Sequence, residues 1–344
     1  MKFAVAPAPH APPMTSVPVV MRRVLYALLP AAAAHTWYFG TGLVINFCVA
    51  AIAAMLAEAL VLRLRHRPAR QSLSDGSALV TAALLVFAIP PLTPWWVPGF
   101  GAAMAMLLAK HLYGGLGRNL FNPAMVGYVI LLVSFPVEMT QWIPPRMGDL
   151  DYEHLGLLAN LNYSFTGRLP AELAIDALTR ATPLDTVKEG LRGMRTFSEL
   201  RAGSLFGDFG GRGWEWINNF IAVGGLYLLY RGTIRWHIPV AVLAGILLPA
   251  TVLYLLDGNR FPSPGFHLFS GAALLGAFFI ATDPVSAAES VRGRLIYGAS
   301  IGVLTYAIRT WGGYPDGLAF AVLLMNAAVP LIDRYTRPRI YGRS

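Results

Sequence analysis

The feature that most limits this chain is a succession of apolar runs. Ten stretches, at about 22–40, 43–63, 76–93, 95–112, 120–136, 215–231, 237–256, 266–283, 293–310 and 316–333, come close to the span of a bilayer-crossing helix, which takes roughly 17–25 mostly apolar residues. The third to fifth are short and interrupted by Pro and Gly, so pairs of them can merge or re-enter. Of the 344 residues, 56% are hydrophobic and 13% are charged. A soluble domain carries roughly 25% charge. The composition therefore excludes a disordered chain, which needs the opposite balance. It predicts an all-α polytopic membrane protein with about ten transmembrane helices.

Charge placement tests that count. The net charge is +9, but the basic residues sit in short loops between apolar runs. That pattern reflects membrane topology rather than nucleic-acid binding. With the N-terminus inside, seventeen Lys and Arg fall on the inner side, and only Arg260 and Arg309 fall in short outer loops. The other eight lie in one long outer segment, 137–214, which can translocate whatever its charge. The expected organisation is an inner tail (1–21), a first membrane half of five helices (22–136), the outer segment (137–214), a second half of five helices (215–333) and an inner tail (334–344). Arg22-Arg23 fit a twin-arginine export signal, but the many spans that follow favour an inner flank of a first helix. Asp75-Gly76-Ser77-Ala78-Leu79 and Ser270-Gly271-Ala272-Ala273-Leu274 are weakly alike. Two halves of five helices would be inverted repeats, although small-residue helix packing alone also yields such matches.

Candidate chemistry is sparse. The one cysteine, Cys48, cannot alone hold an iron–sulfur cluster or a structural zinc. An electron carrier here must be organic or belong to a partner. No triad, phosphate loop, dinucleotide fingerprint or metal-ligand spacing is present. Residues 110–125 form a Gly- and Asn-rich loop that opens a helix at Asn122-Pro123, an N-cap followed by a first-turn proline. Such a start can hold a polar ligand, and equally it can be a tight loop with a capped helix. The Asn-Pro-Ala triplet also occurs in water channels, which carry two copies. In the outer segment, Thr182 precedes Pro183 and should be extended, with its hydroxyl free to point outward or to satisfy a turn. Glu58, Lys110, His267, Asp283 and Asn326 lie within predicted spans, where polar groups are costly. Lys110, His267 and Asp283 fall near span ends, where snorkelling is the cheaper account. Glu58 is nearer mid-span and is the candidate for ion movement.

Several segments together resemble a known family. They are Asp75-Gly-Ser-Ala-Leu-Val-Thr, Pro90-Pro-Leu-Thr-Pro-Trp-Trp, Gly114-Gly-Leu-Gly-Arg-Asn-Leu-Phe-Asn-Pro-Ala-Met-Val-Gly-Tyr, Ser134-Phe-Pro and Ala181-Thr-Pro-Leu-Asp. In this order, over nearly the whole chain, they resemble the family formed by D subunits of Rnf electron-transport complexes and B subunits of sodium-pumping NADH:quinone reductases. The resemblance implies a multi-pass subunit of the bacterial inner membrane, with both termini cytoplasmic. It implies a redox-driven pump that passes electrons between ferredoxin and NAD and moves Na⁺ or H⁺. The implied partners are the A, B, C, E and G subunits, above all the flavin-bearing G subunit on the periplasmic side, together with membrane lipid and a flavin transferase for maturation.

The family attaches FMN by a phosphoester to a Thr in a motif close to Asp-x-x-Ser/Thr-Gly-Ala-Thr. This chain matches at Asp176, Thr179, Ala181 and Thr182 and departs at Arg180, where Gly is usual. The resemblance thus implies covalent FMN on Thr182. It also implies a second, non-covalent riboflavin near Asn119 and Asn122. Two readings without a flavin compete with it: a secondary transporter with a polar ligand at Asn122, and a structural anchor subunit.

Overall fold

The computed structural model describes residues 16–146, 155–169 and 178–337. Among them the secondary structure is helical, with two isolated antiparallel bridges, Trp142–Arg180 and Phe206–Gly211. Backbone groups in hydrocarbon must be satisfied within their own segment, which selects helices.

In the first half α1 spans Val17–Phe39 and α2 spans Gly42–Leu64. The short α3 (Ala69–Leu73) leads to α4 (Ser77–Val86). α5 (Trp96–Met104) runs on through a π-helical stretch, Ala105–His111. α6 is Pro123–Ser134. The connecting segment, predicted as the outer one and called so below, holds α7 (Pro136–Thr140), α8 (Leu157–Thr166), α9 (Pro183–Arg192) and α10 (Phe197–Arg201). In the second half α11 is Trp214–Tyr230 and α12 is His237–Leu256. The broken pair α13 (Pro264–Phe269) and α14 (Ala273–Leu275) continues as a π-helical Gly276–Ile280. α15 (Val291–Trp311) and α16 (Leu318–Thr336) close the fold.

Each of the ten predicted spans coincides with helix, but they are not ten equal rods. α1, α2, α12 and α16 are long and apolar enough to cross a bilayer. α15 has the length, yet it carries Arg292, Arg294 and Arg309. α4 has ten residues, about 15 Å of helix, half of a hydrocarbon core. Its continuation through Pro90 and Pro91 is non-helical and buried. Asn46 of α2 donates to both proline carbonyls, so the broken backbone is satisfied by protein rather than lipid. Large apolar side chains on the outside, such as Leu29, Leu56, Leu60, Leu248 and Val252, are exposed, as a lipid-facing surface requires.

The two halves share a pattern of packing. α2 packs on α4 and α5, and α12 packs on α13 and α15. α1 lies on α11 and α6 on α16, each helix against its counterpart. α12 and α15 approach closely because Gly245 and Gly302 face each other: a Cβ on Gly302 would collide with Val242 O. The two similar pentapeptides both turn through a left-handed glycine, Gly76 at φ +82° and Gly271 at φ +68°. Gly76 lies at the end holding the 65–76 and 112–122 connections, and Gly271 lies against α9 of the outer segment at the other end. Opposite placement of matched motifs is what an inverted repeat produces.

The outer segment covers one end. Arg146 N donates to Tyr38 O, Trp95 N to Ser164 O, and Phe197 N to Asn259 O. The loops 39–42, 87–96 and 257–263 therefore share one side, as the alternation of spans requires. α9 and α10 form a small core of their own with Leu184, Val187, Phe197 and Phe206 around Phe266.

Candidate functional site

Thr182 is built into place by its neighbours. Proline after it fixes an extended backbone (φ −66°, ψ 163°) and starts α9 at its first residue. The Thr182 hydroxyl donates to Asp185 Oδ2 and accepts from Asp185 N, and the Thr182 N–H donates to Asp185 Oδ2. This capping box satisfies two amides that the helix leaves over. Just upstream, Arg180 N donates to Trp142 O at 2.7 Å, tying the motif strand to the end of the first half. Thr179 is half-buried and Arg180 is exposed. Asp176 lies outside the described residues.

Thr182 lines a cavity of about 380 Å³ between the two halves. That falls in the range of small-molecule sites, roughly 300–1,000 Å³. Its walls come from α1, α6, α7, α9, α11, α14 and α16, and they include Phe87, Tyr128, Trp142, Trp214 and Tyr314. The aromatic wall is held by ring contacts: Trp142 lies 5.0 Å from Trp214, and Trp214 lies 4.8 Å from Phe39. Two polar side chains in this lining are buried with unpartnered atoms. His35 has no partner at either ring nitrogen, and Asn218 has none at Oδ1.

One rim of the cavity is an ion pair. Arg309, from the last turn of α15, binds Asp316 at 3.0 and 3.2 Å and donates to His267 O and Ser270 O. Asp316 also accepts from Ala272 N and Leu318 N, closing the break before α14 and the start of α16. Burial works to raise the Asp316 carboxyl. The Arg309 guanidinium and these hydrogen bonds outweigh it and hold Asp316 below the ordinary carboxylate range. Lys188 of α9 donates to Ile308 O and Tyr314 O, fixing the outer segment on the cavity rim. Burial, with Arg192 nearby, pulls the Lys188 ammonium below the usual lysine value.

Asn122 and Asn119 are buried but differ. Asn122 caps α6 by accepting from Met125 N, and its Nδ2 donates to Ile280 O. Its backbone N–H donates to Asn326 Oδ1, while Asn326 Nδ2 donates to Ser286 O and Tyr297 OH. Asn122 thus knits the halves together as well as starting a helix. Asn119 donates to Phe121 O, and its Oδ1 is buried without a partner.

Glu58 forms a separate cluster at the other end. It is fully buried in the last third of α2 rather than mid-span. Lys110 Nζ reaches Glu58 Oε1 at 2.5 Å and Ser77 Oγ at 2.7 Å, with Asp75 Oδ2 at 3.8 Å. Ser72 also donates to Glu58, and His111 Nε2 lies 3.5 Å away. Lys110 does not snorkel, contrary to its reading as a span-end residue. The π-helical stretch turns it inward, where it is 1% exposed. His267 is likewise buried, against Tyr306 at 4.9 Å. Beside the cluster, a second cavity lined by Arg65, Arg67, Asp75, His111 and Gly114 reaches the loop end.

No motif marks His35, Asn218 or the Arg309–Asp316 pair as site residues. A histidine and an asparagine inside predicted apolar helices are the available signal, since such groups must find partners. Arg309 reads as a loop cation because it sits at a span end.

The class this defines is an all-α polytopic membrane protein with a polar-edged cavity among its helices, partly lined by aromatic side chains and with Thr182 in its wall. Residues 4–342 match the NQR2, RnfD, RnfE family, and the chain belongs to that family. It is 52% identical over 345 residues to the D subunit of the ion-translocating oxidoreductase complex of Aeromonas salmonicida, covering 99% of both chains. It is 52% identical to the corresponding D subunit from Alcanivorax borkumensis, over 99% of this chain and 97% of the relative. With the Salmonella typhimurium D subunit it shares 48% identity over 99% of both chains.

Proposed function

We propose that this chain is the D subunit of an ion-translocating oxidoreductase complex and an electron carrier through FMN esterified to Thr182. The observation that carries the reading is the place of Thr182: it lines a cavity between the halves that aromatic side chains help to wall. The residues fit such a group. The cavity has the size for a ring system, five aromatic side chains line part of it, and Asn218 Oδ1 and His35 leave hydrogen-bonding capacity unfilled. A flavin supplies reversible electron transfer, which no side chain here provides.

The residues of the chain then have separate tasks. Thr182 holds the phosphate at the start of α9, where the helix end favours negative charge. Arg180, two residues before it, adds positive charge near that phosphate. Trp142, Trp214 and Tyr314 exclude water from the ring space. Asp176 and Thr179 complete the signature read by a flavin transferase. Asn119, with its open Oδ1, is the better candidate of the asparagine pair for a non-covalent riboflavin, since Asn122 is committed to its cap. Glu58, paired with Lys110 beside a cavity at the loop end, is the candidate for ion movement.

In this reading the outer segment faces the periplasm and contacts the flavin-bearing G subunit. Both termini are cytoplasmic in the bacterial inner membrane. The A, B, C and E subunits complete a complex that passes electrons between ferredoxin and NAD and moves Na⁺ or H⁺. The test is ultraviolet fluorescence of the denatured polypeptide after coexpression with a flavin transferase. Wild type and Thr182→Ser should fluoresce and Thr182→Ala should not. A dark wild-type band, or a bright Thr182→Ala band, contradicts the assignment.

A further inference from the structure

We propose that His35 and Asn218 grip the polar edge of the flavin ring inside the cavity, and so set its reduction potential. This rests on the flavin reading of Thr182 and adds the residues that recognise the ring.

The two side chains sit on facing helices, His35 near the end of α1 and Asn218 in the first turns of α11. Both are 1% exposed, and both line the cavity that Thr182 lines. The amide orientation of Asn218 is fixed by its own bonds. Its Nδ2 donates to Trp214 O at 3.0 Å, Phe269 O at 3.1 Å and Gly271 O at 3.4 Å. A flipped amide would face those carbonyls with its own oxygen. Oδ1 is therefore held as a buried acceptor with no donor. His35 is wedged between Phe39 at 4.9 Å and Phe87 at 5.9 Å, with both ring nitrogens unpartnered. In any protonation state an imidazole keeps at least one N–H donor.

Buried polar groups without partners cost stability. Two of them in one cavity mark a ligand that supplies what they lack. One must receive a donor and the other must be able to give one. A flavin imide edge carries an N–H flanked by two carbonyl oxygens, which is that complement. A donor to a carbonyl at this edge stabilises the more electron-rich ring, so loss of the His35 donor lowers the potential, whereas an acceptor of the imide N–H opposes added electron density, so loss of Asn218 Oδ1 raises it.

The experiment uses the whole purified complex, with wild type, His35→Leu, His35→Gln and Asn218→Leu. Gel fluorescence of the denatured subunit first shows whether covalent flavin is present. Its absence in wild type defeats the Thr182 reading itself. With the flavin present, spectroelectrochemical titration across pH reads its potential. His35→Leu should lower it and Asn218→Leu should raise it, each by a tenfold change in the redox equilibrium constant or more, about 30 mV for a two-electron couple. His35→Gln, which keeps a donor, should stay nearer wild type. Unchanged potentials in both Leu variants, with flavin in place, overturn the proposal and leave Thr182 standing. If the variants do not assemble, resonance Raman of wild type decides. Imide bands shifted by hydrogen bonding and by deuterium support the grip, and bands of an unbonded imide overturn it.

Discussion

The Thr182 hydroxyl donates to Asp185 Oδ2 at 2.5 Å, and the Asp185 amide donates back to Thr182 Oγ1 at 3.2 Å. As structure, this is a helix cap. As chemistry, it places a carboxylate on the proton that an attacking hydroxyl must lose. If a transferase were to join Oγ1 to the phosphorus of a flavin donor, with the donor's pyrophosphate bond as the one broken, Asp185 is placed to take the hydroxyl proton. Asp185→Asn keeps an oxygen for the Thr182 amide but is no base. Its flavin attachment should slow on the order of 10²-fold, the lower range for general-base loss, in a fluorescence time course with purified transferase. An unchanged rate would leave Asp185 a cap only.

Glu58 and Lys110 form a fully buried pair. Removing one partner strands the other, at a cost of about 3–5 kcal/mol, whereas removing both is often nearly neutral. Lys110→Met should therefore lower the thermal midpoint of the detergent-solubilised complex clearly. Glu58→Gln combined with Lys110→Met should recover most of the loss. If the double variant folds and passes electrons but no longer moves ions in liposomes, Glu58 belongs to the ion path. If ion movement persists, the pair is structural.

Asp316 gives a pH signature. Its carboxyl is held below its ordinary value of 3.8 in the folded chain by Arg309 and hydrogen bonds acting against burial. A depressed carboxylate contributes stability that is present above the ordinary value and lost as pH falls below it toward the folded value. The thermal midpoint should thus drop on acidification through that window, and the drop should be smaller in Asp316→Asn. Because this pair borders the cavity, acid should also loosen α9 from Tyr314, raising protease cleavage in the outer segment.

Much of the fold is legible in the sequence because membrane helices announce themselves by length and apolarity. The ten positions and the grouping of loops on two sides follow from apolar runs and basic residues. The broken spans are visible at Pro90-Pro91 and Ser270-Gly271, but what replaces their backbone bonds is not. That depends on distant partners such as Asn46 and Arg309. The same reason hides the cavity. Thr182 is legible through its motif, while His35 and Asn218 come to line the same cavity only when α1 packs on α11. The inward direction of Lys110 is hidden too, because a π-helical stretch, not a span end, sets where its side chain points.

The most direct test of the central claim is mass spectrometry of a proteolytic digest of the subunit taken from its complex. The peptide carrying Thr182 should be heavier by FMN less one water, with fragment ions placing that mass on Thr182. An unmodified Thr182 peptide as the only form, or the same mass on another residue, would contradict it.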